Sequence, residues 1–281
     1  MPHSSIRLEA VALPDRVSAV PEAGPLQDRA CIVTGAAGGI GSAIAAAFAA
    51  AGARIALIDG NSDALTLVAD ELGAAHGAES ILAITASVAD SKAVEGYVAK
   101  TRERFGGLDV LCNCAGVEGP IADSHEYDEA EFDRVLDVNV KGTWLNLRHC
   151  VPPMLEAGRG SIVNMASGAS LRALPGLSAY VASKHAVLGL SRNAAVEYAG
   201  AGIRVNALCP GPVDTRMMSE LEHQLPEFTV EQARELYLER VPMKRYATTN
   251  EIADTALFLA SDAASYITGA VISVDGGASA A

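Results

Sequence analysis

The chain has 281 residues, about the length of one α/β domain, and half of them are hydrophobic while a fifth are charged. Its 21 basic and 34 acidic residues leave a net charge of −13, which repels nucleic-acid backbones and excludes that class of partner. No apolar run approaches the roughly 18 residues that cross a bilayer, so no membrane partner is expected either.

Five cysteines, Cys31, Cys112, Cys114, Cys150 and Cys209, include no CxxC pair. Such an odd set predicts neither a disulfide framework nor a metal site, and it suits a cytoplasmic protein with reduced thiols. Residues 1–28 carry Pro2, Pro14, Pro21 and Pro25 among scattered acids and no long apolar stretch. They predict a flexible or loosely docked N-terminal extension, followed by a single domain over residues 29–281.

From residue 29 short apolar runs alternate with helical stretches, the sequence form of repeated βαβ units and a parallel sheet with helices on both faces. Strands are expected at 30–34, 54–58, 80–85, 108–112, 160–165, 203–208 and 270–274. Helices are expected at 42–51, 63–75, 90–105, 129–156, 178–199 and 250–260, with Gly52 as a C-cap and Asp90 as an N-cap. Pro210-Gly211-Pro212 breaks the chain, and residues 214–246 read as an amphipathic, irregular insertion over a site. The fold class is therefore a Rossmann-like, doubly wound α/β sheet of about seven strands.

Between the first strand and the first helix runs Thr34-Gly35-Ala36-Ala37-Gly38-Gly39-Ile40-Gly41. A dinucleotide pyrophosphate needs close backbone approach and helix N-terminal N–H groups at that place, which Gly35, Gly39 and Gly41 would permit. A tight βα turn favours glycine as well. Strand two ends at Asp59, 18 residues past Gly41, near the offset of about 20 at which an acid meets the adenosine ribose; a solvated turn aspartate has the same place.

Tyr180 and Lys184, at i and i+4, share one helix face, where an ammonium favours phenolate and lowers a phenol pKa toward the range of a general base. Ser167 closes strand five, among the loops at the carboxyl ends of a parallel sheet. A hydroxyl donor, a tunable phenol and a dinucleotide turn together suggest hydride transfer.

With these residues in place the chain resembles the short-chain dehydrogenase/reductase family over residues 29–281. The family's TGxxxGxG motif stands as Thr34 to Gly41, its YxxxK motif as Tyr180 to Lys184, and its serine as Ser167. Its NNAG stretch is similar to Asn113-Cys114-Ala115-Gly116, with cysteine for the second asparagine, and its helix asparagine corresponds to Asn139. Pro210-Gly211, Val213 and Thr215 match the segment after strand six, and Val274-Asp275-Gly276-Gly277 the C-terminal pattern. One departure is Ser87-Val88, where members often carry Asp-Val facing the adenine.

The resemblance implies an oxidoreductase that moves a hydride between a nicotinamide and a secondary alcohol or ketone. Tyr180 would be the acid/base, Ser167 would hold the substrate oxygen, Lys184 would bind the nicotinamide ribose, and Asn139 would hold a relaying water. Gly35, Gly39, Ile40, Gly41, Asp59, Ser87, Val88, Asn113, Ala115, Gly116, Pro210, Gly211, Val213 and Thr215 would line the cofactor site. NAD is the expected cofactor because Asp59 opposes the extra phosphate of NADP. The resemblance also implies a homo-oligomer, a tetramer or else a dimer. Alternatives are a 3-oxoacyl-thioester reductase and a non-catalytic dinucleotide sensor. Glu118 and Arg172, close to motif residues, are read as surface charge, and His185 is assigned no chemistry.

Overall fold

A computed structural model describes residues 24–225 and 227–281. The strands are β1 Ala30–Thr34, β2 Arg54–Asp59, β3 Ile81–Thr85, β4 Val110–Asn113, β5 Gly160–Met165, β6 Ile203–Pro210 and β7 Val271–Val274. They form one sheet of order β3-β2-β1-β4-β5-β6-β7, with every neighbouring pair parallel. The helices are α1 Gly39–Ala50, α2 Ser62–His76, α3 Ser91–Phe105, α4 Glu129–Leu136, α5 Gly142–Ala157, α6 Ser178–Tyr198, α7 Arg216–His223, α8 Val230–Glu239 and α9 Thr249–Ala260.

Alternation along each strand divides the core in two. Cys31, Val33, Ile55, Leu57 and Val163 meet Ile44 and Phe48 of α1, Leu65 of α2 and Ile252 and Leu259 of α9. The intervening Ala30, Ile32, Ala56, Ile58 and Leu111 meet Val94 and Tyr97 of α3, Leu145 and Met154 of α5 and Ala195 of α6. Both faces are covered, which is why the strands read as continuous apolar runs. Strand order reverses between β1 and β4, and the crevice at their carboxyl ends is where open α/β sheets take ligands.

Three differences from the sequence reading stand out. Residues 24–28, assigned to the extension, are docked: Leu26 is 2% exposed within the core, its N–H donates to the Ala51 carbonyl, and the Asp28 N–H donates to that of Gly52. The rest of the expected extension, residues 1–23, lies outside the described residues. The insertion at 214–246 contains two helices, α7 and α8, the first capped by Thr215 and the second by a Thr229/Gln232 box. The single helix expected over 129–156 is interrupted by a π-helical turn at Asp137–Lys141. None of the described helices is long and apolar enough to cross a membrane.

Candidate active site

Among the described residues two helices that start from loops lack a side-chain cap, α1 at Gly38 and α6 at Leu177, whereas Asn61, Asp90, Asp128, Thr215, Thr229 and Thr248 cap α2, α3, α4, α7, α8 and α9. Both uncapped helices open into the crevice. At α1 there is also no acid in the first turn, and Gly38 and Gly39 are exposed, so its leading N–H groups remain free for an anion. Gly35 has φ +66°, and a Cβ there would lie 2.8 Å from the Ala115 backbone; a Cβ on Gly41 would lie 2.0 Å from the Gly35 oxygen. Only glycine fits either position. This bare cradle, with its free donors, fits a pyrophosphate.

The turn is pinned to its neighbour. Thr34 Oγ1 accepts the Cys114 and Ala115 N–H groups at 3.1 and 3.2 Å, so the cysteine that replaces asparagine still makes its backbone contact. Asp59 is half-buried; its Oδ2 accepts the Ala37 N–H at 3.0 Å and its Oδ1 the Asn61 N–H at 2.9 Å. Each oxygen keeps a lone pair for a ribose hydroxyl. Ile40 is half-buried on the core, and Thr215 packs over Gly39, where a Cβ would meet its methyl at 3.1 Å.

Other expected contacts are used within the protein. Asn113 is buried and donates through Nδ2 to Asn164 Oδ1 at 2.8 Å, and Asn164 donates to Ser191 Oγ at 2.9 Å, which ties β4, β5 and α6 together. Ser87 is exposed and its Oγ accepts the Ala89 N–H, while Val88 packs on Gly142. Gly211 lets β6 pass the backbone of Asp275, Val213 pairs with Ala247, and Pro210 ends the strand beside Gly168.

Ser167, Tyr180, Lys184 and Asn139 do converge. The Ser167 side chain lies close enough to Tyr180 to lower its pKa, and its Oγ accepts the Ala169 N–H at 3.1 Å. Lys184, 4% exposed, places Nζ 5.6 Å from the Tyr180 ring centroid and donates to the Met165 carbonyl at 2.9 Å. A side chain at Gly116 would lie 3.2 Å from Asn139 Oδ1 and 3.3 Å from Lys184 Nζ, so glycine there lets all three groups meet.

The electrostatics correct one expectation. Lys184 was to lower the Tyr180 pKa, but burial pushes that phenol up to about 12, opposed by Ser167 and reinforced by Glu118, Cys114 and Cys209. Burial also pulls Lys184 down to about 8, with Cys114 and Cys209 opposing. Desolvation favours the neutral form of both groups and is the largest influence on each.

Asn139 sits in the π turn, a feature common at functional sites. Its Oδ1 accepts the Val117 N–H at 2.9 Å, and its Nδ2 donates to the Val117 carbonyl at 2.8 Å and to Ser183 Oγ at 2.9 Å. Thr143 Oγ1 donates to its backbone carbonyl at 2.8 Å. The side chain is thus a clamp on Val117, and a relaying water has only the second lone pair of the carbonyl.

Glu118, read from sequence as surface charge, is 9% exposed and close enough to Tyr180 to raise its pKa. Its own pKa is raised, chiefly by burial. Arg172 is half-buried and donates to the Ala278 carbonyl at 3.3 Å; exposed His185 bonds only its own helix, at the Val181 carbonyl. Sequence reasoning also missed Glu222, a buried acid of α7 that accepts the Tyr246 hydroxyl at 2.8 Å, and Gln224, whose Oε1 accepts the Ile121 N–H at 2.8 Å. Only the helical spacing of Met218, Leu221 and Glu222 gave any prior signal of a buried face there.

Fold and crevice define a dinucleotide-binding α/β protein. The comparisons narrow this: a family model described as Enoyl-(Acyl carrier protein) reductase matches residues 35–279, and the chain belongs to the short-chain dehydrogenase/reductase family of oxidoreductases. It is 42% identical over 255 residues to levodione reductase of Leifsonia aquatica, covering 90% of this chain and 95% of the relative. A crystal structure of levodione reductase superposes with a TM-score of 0.88 at 40% identity, covering 91% and 99%. NAD+-bound xylitol dehydrogenase gives 0.86 at 33%, covering 90% and 99%. A Beutenbergia cavernae structure with bound NADP gives 0.83 at 39%, covering 91% and 98%.

Proposed function

We propose that the protein is an NAD-dependent oxidoreductase interconverting a secondary alcohol and its ketone. The observation that carries this is the convergence of Ser167, Tyr180, Lys184 and the Asn139 clamp beside the open N-terminus of α1. When bound, the nicotinamide supplies or accepts the hydride. Tyr180 takes the hydroxyl proton during oxidation and returns it to the carbonyl during reduction, while Ser167 holds that oxygen and sets its distance from the phenol. Lys184 binds ribose hydroxyls and, as a cation, favours the phenolate that its surroundings otherwise oppose. Proton exchange runs through a water on the Asn139 carbonyl. Ile40, Asp59, Ser87, Val88, Ala115, Gly116, Pro210, Gly211, Val213 and Thr215 border the cofactor.

Asp59 supports NAD over NADP, since the loop residues beside it, Ala36, Ala37, Gly38, Gly60 and Asn61, bring no positive charge to meet a phosphate. The same feature argues against the thioester reductase, whose relatives typically use NADPH, and the complete residue set argues against a pure sensor. Free, largely buried thiols support a cytoplasmic setting. Trp144 on α5, Val196 on α6 and Phe258 on α9, all exposed, support assembly into a tetramer or dimer.

The test is reduced-nicotinamide absorbance with NAD and a panel of secondary alcohols, sugars, steroids and hydroxyacyl thioesters, for the native protein and Tyr180→Phe. Turnover should fall by about 10²–10⁴ in the variant while NAD binding persists. A near-normal rate in Tyr180→Phe overturns the mechanism.

A further inference from the structure

We infer that Glu222 and Tyr246 are positioning residues for the substrate: their hydrogen bond fixes the far end of α7 across the mouth of the crevice, while the cofactor cradle is held independently of it. This rests on the oxidoreductase reading above.

The segment between residues 213 and 247 is clipped at its base. Val213 pairs in parallel with Ala247, the Asp214 N–H donates to the Ala247 carbonyl at 2.9 Å, and the Ala247 N–H donates to the Pro212 carbonyl at 2.9 Å. From that base α7 starts at Thr215, whose methyl packs over Gly39 of the glycine cradle. Just past its other end Gln224 Oε1 accepts the Ile121 N–H at 2.8 Å. Ile121 adjoins Ala122, which pairs with Leu177 where α6, the helix of Tyr180 and Lys184, begins. Thus α7 is a span with one foot on the cofactor side and one on the substrate side.

A helix of 8 residues does not hold itself in water. Its buried side chains are Met218 and, one turn on, Glu222. Tyr246, 5% exposed and next to Ala247 at the base, donates its hydroxyl to Glu222 Oε1 at 2.8 Å. The same tyrosine receives α8: the Arg234 guanidinium lies 4.3 Å from its ring centroid and pairs with Asp214 of the base at 4.0 Å. The two helices and the base therefore meet on one side chain. A carboxyl on the inward face of a helix is costly unless it is bonded, and its bond to a hydroxyl is directional where apolar packing is not. It fixes one position of α7 instead of merely adding adhesion. Glu222 belongs to the last turn of α7, beside Gln224 and remote from Thr215. Loss of the bond therefore frees the foot on Ile121 and leaves the contact with Gly39 in place.

Tyr246→Phe, Glu222→Leu and Glu222→Gln are compared with the native protein, using NAD and whichever member of the alcohol, sugar, steroid and thioester panel is turned over fastest. In Tyr246→Phe and Glu222→Leu, kcat/KM for that substrate should fall at least about tenfold, chiefly through KM, because the substrate then meets a span that is in place only part of the time. The NAD dissociation constant should stay within about threefold of native. Glu222→Gln keeps an acceptor for the hydroxyl and should recover most of the loss. Tryptic cleavage after Arg216, Arg234 and Arg240, followed below the unfolding transition, should quicken at least about tenfold in the first two variants and not in Glu222→Gln, since cutting a helix requires its local opening. An unchanged KM or an unchanged cleavage rate in both Tyr246→Phe and Glu222→Leu overturns the positioning role, and so does an equal loss of NAD affinity, which would mark general destabilisation. If the native protein turns over no member of the panel, the oxidoreductase reading fails, and the cleavage rates still decide whether this bond holds α7.

Discussion

On the β1–β2 side of the crevice the groups poised for a ligand are backbone amides, bare glycines and one carboxylate, all within residues 34–61. On the far side they are side chains from three separated segments: Asn139 in the π turn, Ser167 after β5, and Tyr180 and Lys184 on α6. A backbone cradle recognises what many ligands share, a phosphate and a ribose. A ring of side chains assembled by tertiary contacts recognises what distinguishes one substrate from another. The contrast predicts that changes on the first side alter cofactor use and leave substrate preference alone, and that the reverse holds on the second.

The largest test of that separation is Asp59→Ala. NAD should be preferred over NADP by at least 10²-fold in the native protein, about 2.7 kcal/mol at tenfold per 1.4. Two like charges about 4 Å apart repel by roughly 4 kcal/mol at an effective dielectric of 20. Removing the carboxylate also frees the Ala37 and Asn61 N–H groups that it holds. That loosening touches both cofactors, so the ratio of their dissociation constants isolates the repulsion and should shrink toward unity. Equal constants in the native protein would remove the assignment of NAD. An altered alcohol preference in the variant would break the separation of the two sides.

What could be read from sequence follows the same division. Thr34 to Gly41 and Asp59 are local: a strand, a tight turn and a helix start set their geometry, and residue type reports it directly. The seven strands were legible too, because burial on both faces leaves unbroken apolar runs, although Asn113 and Pro210 extend strands that were expected to stop earlier. Glu118 was misread because a charged residue after a turn is most often solvated, and its burial depends on α4, α6 and α7 packing around it. The π turn at Asn139 was invisible, since Asp137-Val138-Asn139-Val140-Lys141 has ordinary helical composition. In Tyr180 the neighbouring lysine was legible but the desolvation was not, because burial is a property of the whole fold.

Lys184 stands where the two sides meet, and its burial has a consequence for stability that can be measured. Its pKa falls from 10.5 in the open chain to about 8 when folded. Between those values the unfolded chain binds more protons, so folding stability contributed by this group rises with pH from about 8 to 10.5. Tyr180, raised from 10 to about 12, acts in the opposite sense above pH 10. Relative to Lys184→Met, the native protein should therefore gain on the order of 1–3 kcal/mol between pH 7.5 and 9.5 in denaturant unfolding. A flat difference across that range would mean that the ammonium is solvated. The variant should also lose NAD affinity, through the lost ribose contact.

The smallest effect is expected at Cys114, the one departure inside the NNAG stretch. This position joins the cofactor cradle to the Gly116-Val117 segment held against Lys184 and Asn139, so a side-chain role here would blur the two sides. The structure gives the work to the backbone: the Cys114 N–H donates to Thr34 Oγ1, a bond that no change of side chain removes. The thiol is held neutral, pushed up to about 12 chiefly by burial, so it offers neither a charge nor a ready nucleophile. Cys114→Ala should leave the NAD dissociation constant within about threefold of native, under 1 kcal/mol. The native protein should likewise keep its activity after iodoacetamide treatment at pH 7.5. A tenfold loss of affinity in the alanine variant, or inactivation by the alkylating agent with modification mapped to Cys114, would show that the thiol itself serves the site and that the boundary between the two sides lies elsewhere.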